Sequence, residues 1–277
     1  MRRIDCHMHL WTLAMEQHYA LWMTPALTPL YRDYGVTEAR GVLGRNGVEG
    51  VVLVSAANSV HETAYLIGLA DGHDFVRGVV AWLDLLAPSA VKDIEDWARF
   101  AKLKALRPYL QDLPDDDWIL RPELTPAIRA IQETGLRFEA LIKPRHILHA
   151  LRFIDRHPNL PVMVDHMAKP EIGAGHFDAW RRDMEHFRDR RHVHCKISGI
   201  VTEDGPNWSV ARLQPYLDAV LDIFGPDRLV FGSDWPVVNL VGSYDRWVAA
   251  LDQGLAGLPL ADREKVWATN GERYYGL

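Results

Sequence analysis

The chain has 277 residues, of which 48% are hydrophobic and 25% charged, with a formal net charge of -6. That is ordinary globular composition; it gives no reason to expect nucleic-acid binding, there is no basic stripe, and no apolar run is long enough to span a bilayer. Two cysteines, Cys6 and Cys195, do not make a disulfide framework, and the start "MRRIDCHMH" has charges without an apolar stretch after them, so a soluble cytoplasmic protein is expected.

In chain order, eight short apolar runs alternate with longer amphipathic segments. The runs are "RRIDCHMHL", "GVVLVSA", "FVRGVVAWLDL", "LKALRP", "LRFEALIK", "LPVMVDHM", "HVHCKISGI" and "RLVFGSD". Segments such as "HETAYLIGLADG", "TPAIRAIQETG" and "VARLQPYLDAVLDIFG" between them have helical periodicity, and several end at Gly or His-Pro. Strand–helix alternation repeated eight times predicts parallel strands joined by helices, closing into a single-domain α/β fold over 1–277, the (β/α)8 TIM barrel. An open doubly wound sheet is the alternative, but no Gly-rich turn follows the first strand. The connection over residues 10–35 is long, aromatic and proline-containing, which fits a cover over the site at the C-terminal face of the barrel.

The candidate chemistry lies near the C-terminal ends of these runs. In "DCHMHLW", strand alternation puts Ile4, Cys6 and Met8 on one face, expected to meet the helices. Asp5, His7 and His9 fall on the other, expected to point inward. "VMVDHMAKP" puts His166 on the face of Val162 and Val164. "VFGSDWPV" places Asp234 directly after a strand, two residues beyond a glycine. "VHCKISG" sets Lys196 opposite Val193 and Ile197. Each has a bland reading alone: polar residues satisfied in a barrel core, a helix-capping aspartate, a lysine in solvent. Barrel geometry gathers strand ends around one mouth, which makes the set harder to dismiss. Imidazoles with a carboxylate are usual zinc ligands, and a catalytic site keeps one position open for water. Asp234 could accept a proton from that water and return it to a leaving group.

The segments "DCHMHLW", "VMVDHMAKP", "HCKISG", "RLVFGSDWPV" and "NGERYYGL", with "VVAWLDL" and "KALRPYL", resemble the amidohydrolase superfamily across nearly the whole chain. More narrowly they resemble its sugar-lactonase branch of L-fuconolactonase-like and L-rhamnonolactonase-like proteins, to which 2-pyrone-4,6-dicarboxylate lactonase is related. The resemblance implies a barrel that hydrolyses a cyclic ester. His7 and His9 match the first-strand pair, His166 the later histidine, and Asp234 the last-strand aspartate and general base. His166 would bind a metal or polarise the lactone carbonyl. Many binuclear members use a carboxylated mid-barrel lysine. Here "LRFEALIKP" offers Glu139 on the strand and Lys143 only at its end, which speaks against two metals. One divalent ion, zinc before others, held by His7, His9 and Asp234 with His166, is the preferred arrangement, and a site without metal competes with it.

Arg107 matches an arginine common to the branch and could hold a ring oxygen or a carboxylate. Lys196 and Glu139 are expected substrate contacts, and Trp11, Tyr31 and Trp235 are candidate walls for a sugar ring. Arg145 and His146 begin a helix at the mouth. Few arginines at the strand ends favour a neutral aldonolactone over a dicarboxylate lactone as the small-molecule partner. A metal-dependent decarboxylase on the same barrel and a non-enzymatic binding protein are the rivals. A homo-oligomer stays open.

Overall fold

The computed structural model describes residues 1–19 and 22–277. Residues 20 and 21, inside the expected cover over 10–35, lie outside that description. Eight parallel strands form one sheet in the order β1 to β8: Ile4–Met8, Gly50–Val54, Val76–Ala81, Leu103–Leu106, Arg137–Ala140, Val162–Val164, Val193–Ile197 and Leu229–Phe231. All eight fall within the apolar runs named above. Such runs suit strands buried on both faces, with β-branched side chains packing well on the pleat. The barrel is drawn together where β1 meets the segment after β8. Met8 bridges Trp235, His9 N donates to Trp235 O at 2.7 Å, and Asp234 N donates to His7 O at 2.8 Å. Gly232 permits this approach, because a Cβ there would lie 2.6 Å from the Cβ of His7.

Helices over Val36–Arg45, Val60–Gly72, Ala90–Trp97, Thr125–Glu133, Ile147–Arg156, Phe177–Met184, Val210–Phe224 and Tyr244–Gly254 follow the strands and cover the barrel. Their apolar stripes pack on Leu53, Val79, Phe138, Val164, Ile197 and Phe231. A second, smaller cluster lies inside the barrel and takes Ile4, Cys6, Val52, Val54, Val80, Ala105, Met163 and Val230 from six strands. Tyr275, from the last helix Asn270–Tyr275, joins it from below. Arg137, the first residue of β5, donates to Tyr274 O at 2.6 Å, so the C-terminus closes the N-terminal face of the barrel. No helix among the described residues is long and apolar enough to cross a membrane.

Simple alternation fails in β1. The pairing with β2 shifts register between Asp5 and Met8. Ile4 and Cys6 therefore lie in the interior cluster, not against the helices, while Met8 belongs to the outer one. Asp5 turns outward, where it accepts from Tyr244 Oη at 3.1 Å and from the amides of His7 and Ser233. The extra residue of a bulge reverses the faces on either side of it. His7 and His9 still point inward, as expected.

Candidate active site

A cavity of about 190 Å³ opens at the C-terminal face. His9, Arg107, His166 and Asp234 line it, so four of the residues singled out from the sequence meet there. They come from β1 and the ends of β4, β6 and β8.

Two of them stand on left-handed backbone. His166, Met167, Ala168 and Lys169 have φ of 52°, 54°, 58° and 50°, a full turn without a glycine. Asp234 has φ 57°. Non-glycine residues in this region cost roughly 1–2 kcal/mol each, and such strain gathers at functional sites. The turn is held by Trp180 Nε1, which donates to Met167 O at 2.9 Å, and by Lys169 N donating to His166 O. This departs from the strand-face reading of His166. The strand ends at Val164, whose side chain packs outward, and the turn carries His166 and Lys169 round to the cavity. Gly199 fits beneath: a Cβ there would lie 2.6 Å from His166 Nδ1 and 3.0 Å from Asp234 Oδ2.

Burial alone would push the Asp234 carboxyl up, but the neighbouring imidazoles of His166 and His9 override it and hold it below the usual value. Burial pushes His166 down to about 4, so its imidazole is neutral at pH 7. Its Nδ1 shares a hydrogen bond with Ser198 Oγ at 2.8 Å. Arg107 donates to Asp165 Oδ2 at 3.2 Å and to Ser55 O, and its buried Nε has no partner among the described residues.

His7, His9 and Asp234 bring one donor atom each within 4.8 Å of one another. His9 is prepared for a cation. Its Nδ1 lies 2.7 Å from Val54 O, which requires the proton there, and leaves the Nε2 lone pair 3.2 Å from Asp234 Oδ1. Two acceptors facing each other at that distance accommodate a shared cation, and an N,N,O donor set with an open side suits a divalent metal. The donors therefore fit one ion. A second triple, His7, Asp165 and His166, overlaps the first at His7.

The remaining expected contacts do not reach the cavity. Lys196 and Glu139 are completely buried beneath it, Lys196 Nζ lying 2.5 Å from Glu139 Oε2, 3.1 Å from Asp165 Oδ1 and 3.2 Å from His7 Nδ1. Tyr275 Oη donates to the other oxygen of Glu139. Burial pushes Glu139 up to about 7, against the pull of Lys196. These positions point inward, as strand parity requires, but one layer too deep to meet a substrate. Trp11 and Trp235 are buried and pack edge-on against Tyr34, where they brace the neck of the 10–35 segment. Tyr31 hydrogen-bonds Glu16 at 2.6 Å. Arg145 pairs with Asp116, beside the buried His146. The aromatic wall is instead Trp22 and Tyr109, with Leu27, Leu30, Leu141, Val237 and Leu240. Trp22 Nε1 donates to Ala56 O at 2.7 Å. Gln111, Asp112 and Lys169 complete the lining. Gln111 and Asp112 sit in a single 3-10 turn, Leu110–Asp112, too short to carry a periodic signal, whereas the lysine of "DHMAKP" stands beside a recognised motif.

The amidohydrolase family model matches residues 4–277. An L-fucono-1,5-lactonase of Burkholderia ambifaria is 42% identical over 91% of this chain and 87% of its own length. An L-fucono-1,5-lactonase of Burkholderia multivorans is 30% identical over 99% of this chain and 96% of its own. An amidohydrolase structure from Burkholderia multivorans with bound zinc superposes with a TM-score of 0.93, 30% identity and complete coverage of both chains. The chain belongs to the amidohydrolase family, as the motifs "DCHMHLW" and "GSDWP" indicate.

Proposed function

We propose that this amidohydrolase opens a neutral, sugar-derived lactone to its hydroxy acid, with L-fuconolactone and related aldonolactones as the first substrates to try. The observation that carries the reading is the pairing at one cavity of an ionised, buried Asp234 with the guanidinium of Arg107. Ester hydrolysis needs a base for water and a donor for the developing oxyanion, and these two residues are of those types.

Water attacks the lactone carbonyl, and Asp234 takes its proton. Arg107 donates to the oxygen on which charge develops. His166, neutral, donates to the same oxygen when the Ser198 hydroxyl donates to its Nδ1. The protonated Asp234 then returns the proton to the ring oxygen as the carbon–oxygen bond breaks. A divalent ion held by His9 and Asp234, with His7, would supply Lewis-acid polarisation of the carbonyl and a more acidic water. Both cations of the lining are already neutralised, Arg107 by Asp165 and Lys169 by Glu203 at 3.2 Å. That favours a neutral ring over a dicarboxylate. Trp22 and the leucines suit the apolar face and the methyl group of a deoxy sugar.

The test is acid release, followed with a pH indicator, from a panel of aldonolactones and dicarboxylate lactones, with and without chelator. Hydrolysis of an aldonolactone by the wild-type protein is expected. Silence across the panel, with carbon dioxide released from an aromatic acid, would overturn the reading in favour of a decarboxylase.

A further inference from the structure

We propose that Lys196 sets how tightly this site holds a divalent ion, by acting as a built-in cation that competes with the metal for His7. The inference concerns metal affinity alone and does not depend on the substrate.

The Lys196 ammonium donates to Glu139 Oε2 at 2.5 Å and stands 3.2 Å from His7 Nδ1, with Asp165 Oδ1 3.1 Å away as an ion contact. An ammonium only donates. His7 Nδ1 must therefore present its lone pair, and a neutral imidazole then carries its single proton on Nε2. That is the nitrogen on the Asp234 side, 3.8 Å from Oδ1. Ligation through Nε2 requires the proton to sit on Nδ1 instead, where the lysine N–H stands. The guanidinium of Arg107 also only donates, but at 3.5 Å from Nε2 it is the longer contact, so the ammonium at 3.2 Å decides the tautomer and the guanidinium adds a second positive charge against an incoming ion.

The two overlapping metal-competent triples are thus not equivalent. Between His7 and Asp165, two members of the second, an ammonium is already seated. The first keeps His9 and Asp234 as ready ligands and has His7 turned against it. Catalytic zinc sites usually hold the ion with three protein ligands, so a site with two ready ones binds weakly and exchanges its metal. Without the ammonium, His7 Nδ1–H could turn to Asp165 Oδ1, 3.8 Å away. A ligating histidine backed by a carboxylate is the usual supporting arrangement around metals.

The experiment is a zinc titration of chelator-stripped protein by calorimetry, with cobalt substitution read in the visible spectrum. Lys196→Met combined with Glu139→Gln removes the cation together with its partner's charge, so the interior stays balanced. This double variant should bind zinc at least tenfold more tightly than wild type and give a stronger cobalt band. Glu139→Gln alone keeps the ammonium and should not tighten binding. Zinc affinity unchanged or weakened in the double variant, or tightened equally by Glu139→Gln alone, would overturn the proposal. If thermal melts show the double variant unfolded, Lys196→Gln carries the same expectation, because its amide oxygen can accept from Nδ1–H. Unchanged or weaker zinc binding there would overturn the proposal equally.

Discussion

Two charged layers lie one above the other inside this barrel. The upper layer, His9, Arg107, His166 and Asp234, faces the cavity and contains a buried donor, Arg107 Nε, with no partner among the described residues. The lower layer, His7, Glu139, Asp165 and Lys196, is sealed, and Tyr275 closes it from beneath. Burial opposes ionisation of Asp165, but Lys196 and Arg107 override it and hold its carboxyl well below the usual range. The difference teaches that an inward-pointing charge on a barrel strand is not by itself a substrate contact. Depth decides: groups at the rim face the space a ligand would fill, and groups a layer down face one another.

The largest effect that would break this division comes from the rim. Asp234→Asn keeps the shape of the side chain but removes the base. Lactone turnover should fall by about 10²–10⁴ in kcat, the usual contribution of general acid–base catalysis. Circular dichroism should show an intact fold, and wild-type rates would remove Asp234 from the role of base. Arg107→Lys comes next. A lysine lacks the planar fork that spans Asp165, Ser55 O and the cavity, so kcat/KM should drop by about 10²–10³, a loss typical of one oxyanion donor. A rise in KM alone, with kcat intact, would make Arg107 a binding residue only.

The lower layer should answer in stability and not in rate. Tyr275→Phe deletes the hydroxyl that Glu139 accepts and leaves a buried carboxyl oxygen unpaired. Leaving such a group unsatisfied costs about 1–3 kcal/mol, which for a chain of this size lowers the melting temperature by several degrees. The kcat should stay within about threefold of wild type. A large fall in kcat at unchanged melting temperature would join the two layers into one catalytic unit.

Much of this was legible in the residues. Each of the eight apolar runs is buried on both faces, so strand number and order followed from pattern alone. The residues alone point His7 and His9 inward, though through a smooth alternation that β1 breaks, and they set Lys196 opposite Val193 and Ile197 without giving its depth. The β1 bulge was not legible, since "IDCHM" alternates smoothly and the register shift arises from pairing with β2. Nor was the left-handed turn at 166–169, because "HMAK" contains no glycine to announce it and the hydrogen bond that holds it comes from Trp180 in the following helix. Depth within the barrel is set by strand stagger, which one strand's sequence does not carry. The aromatic wall was missed for a similar reason: Trp22 and Tyr109 reach the cavity from irregular chain, where no periodicity assigns a face.

A last test, read only as a change in pH dependence, asks whether burial, which governs the lower layer, also governs the floor of the loop after β2. Glu62 is buried, and its two oxygens accept from Ala56 N at 2.9 Å and Ala57 N at 2.7 Å, fixing the loop whose Ala56 lines the cavity. Burial pushes its carboxyl up from 4.5 to about 7 despite those two amides. A group whose folded value is raised binds its proton more tightly in the native state. The stabilisation is therefore complete below about pH 4.5, declines as pH rises, and is gone above about pH 7. The span corresponds to on the order of 3 kcal/mol, or several degrees in melting temperature. Glu62→Gln cannot ionise and presents one acceptor oxygen instead of two. It should melt lower than wild type at pH 5 and lose part of the decline between pH 5 and pH 8. Parallel melting curves for the two proteins across that range would show that Glu62 is already ionised in the fold, and that two amide hydrogen bonds outweigh burial at this depth.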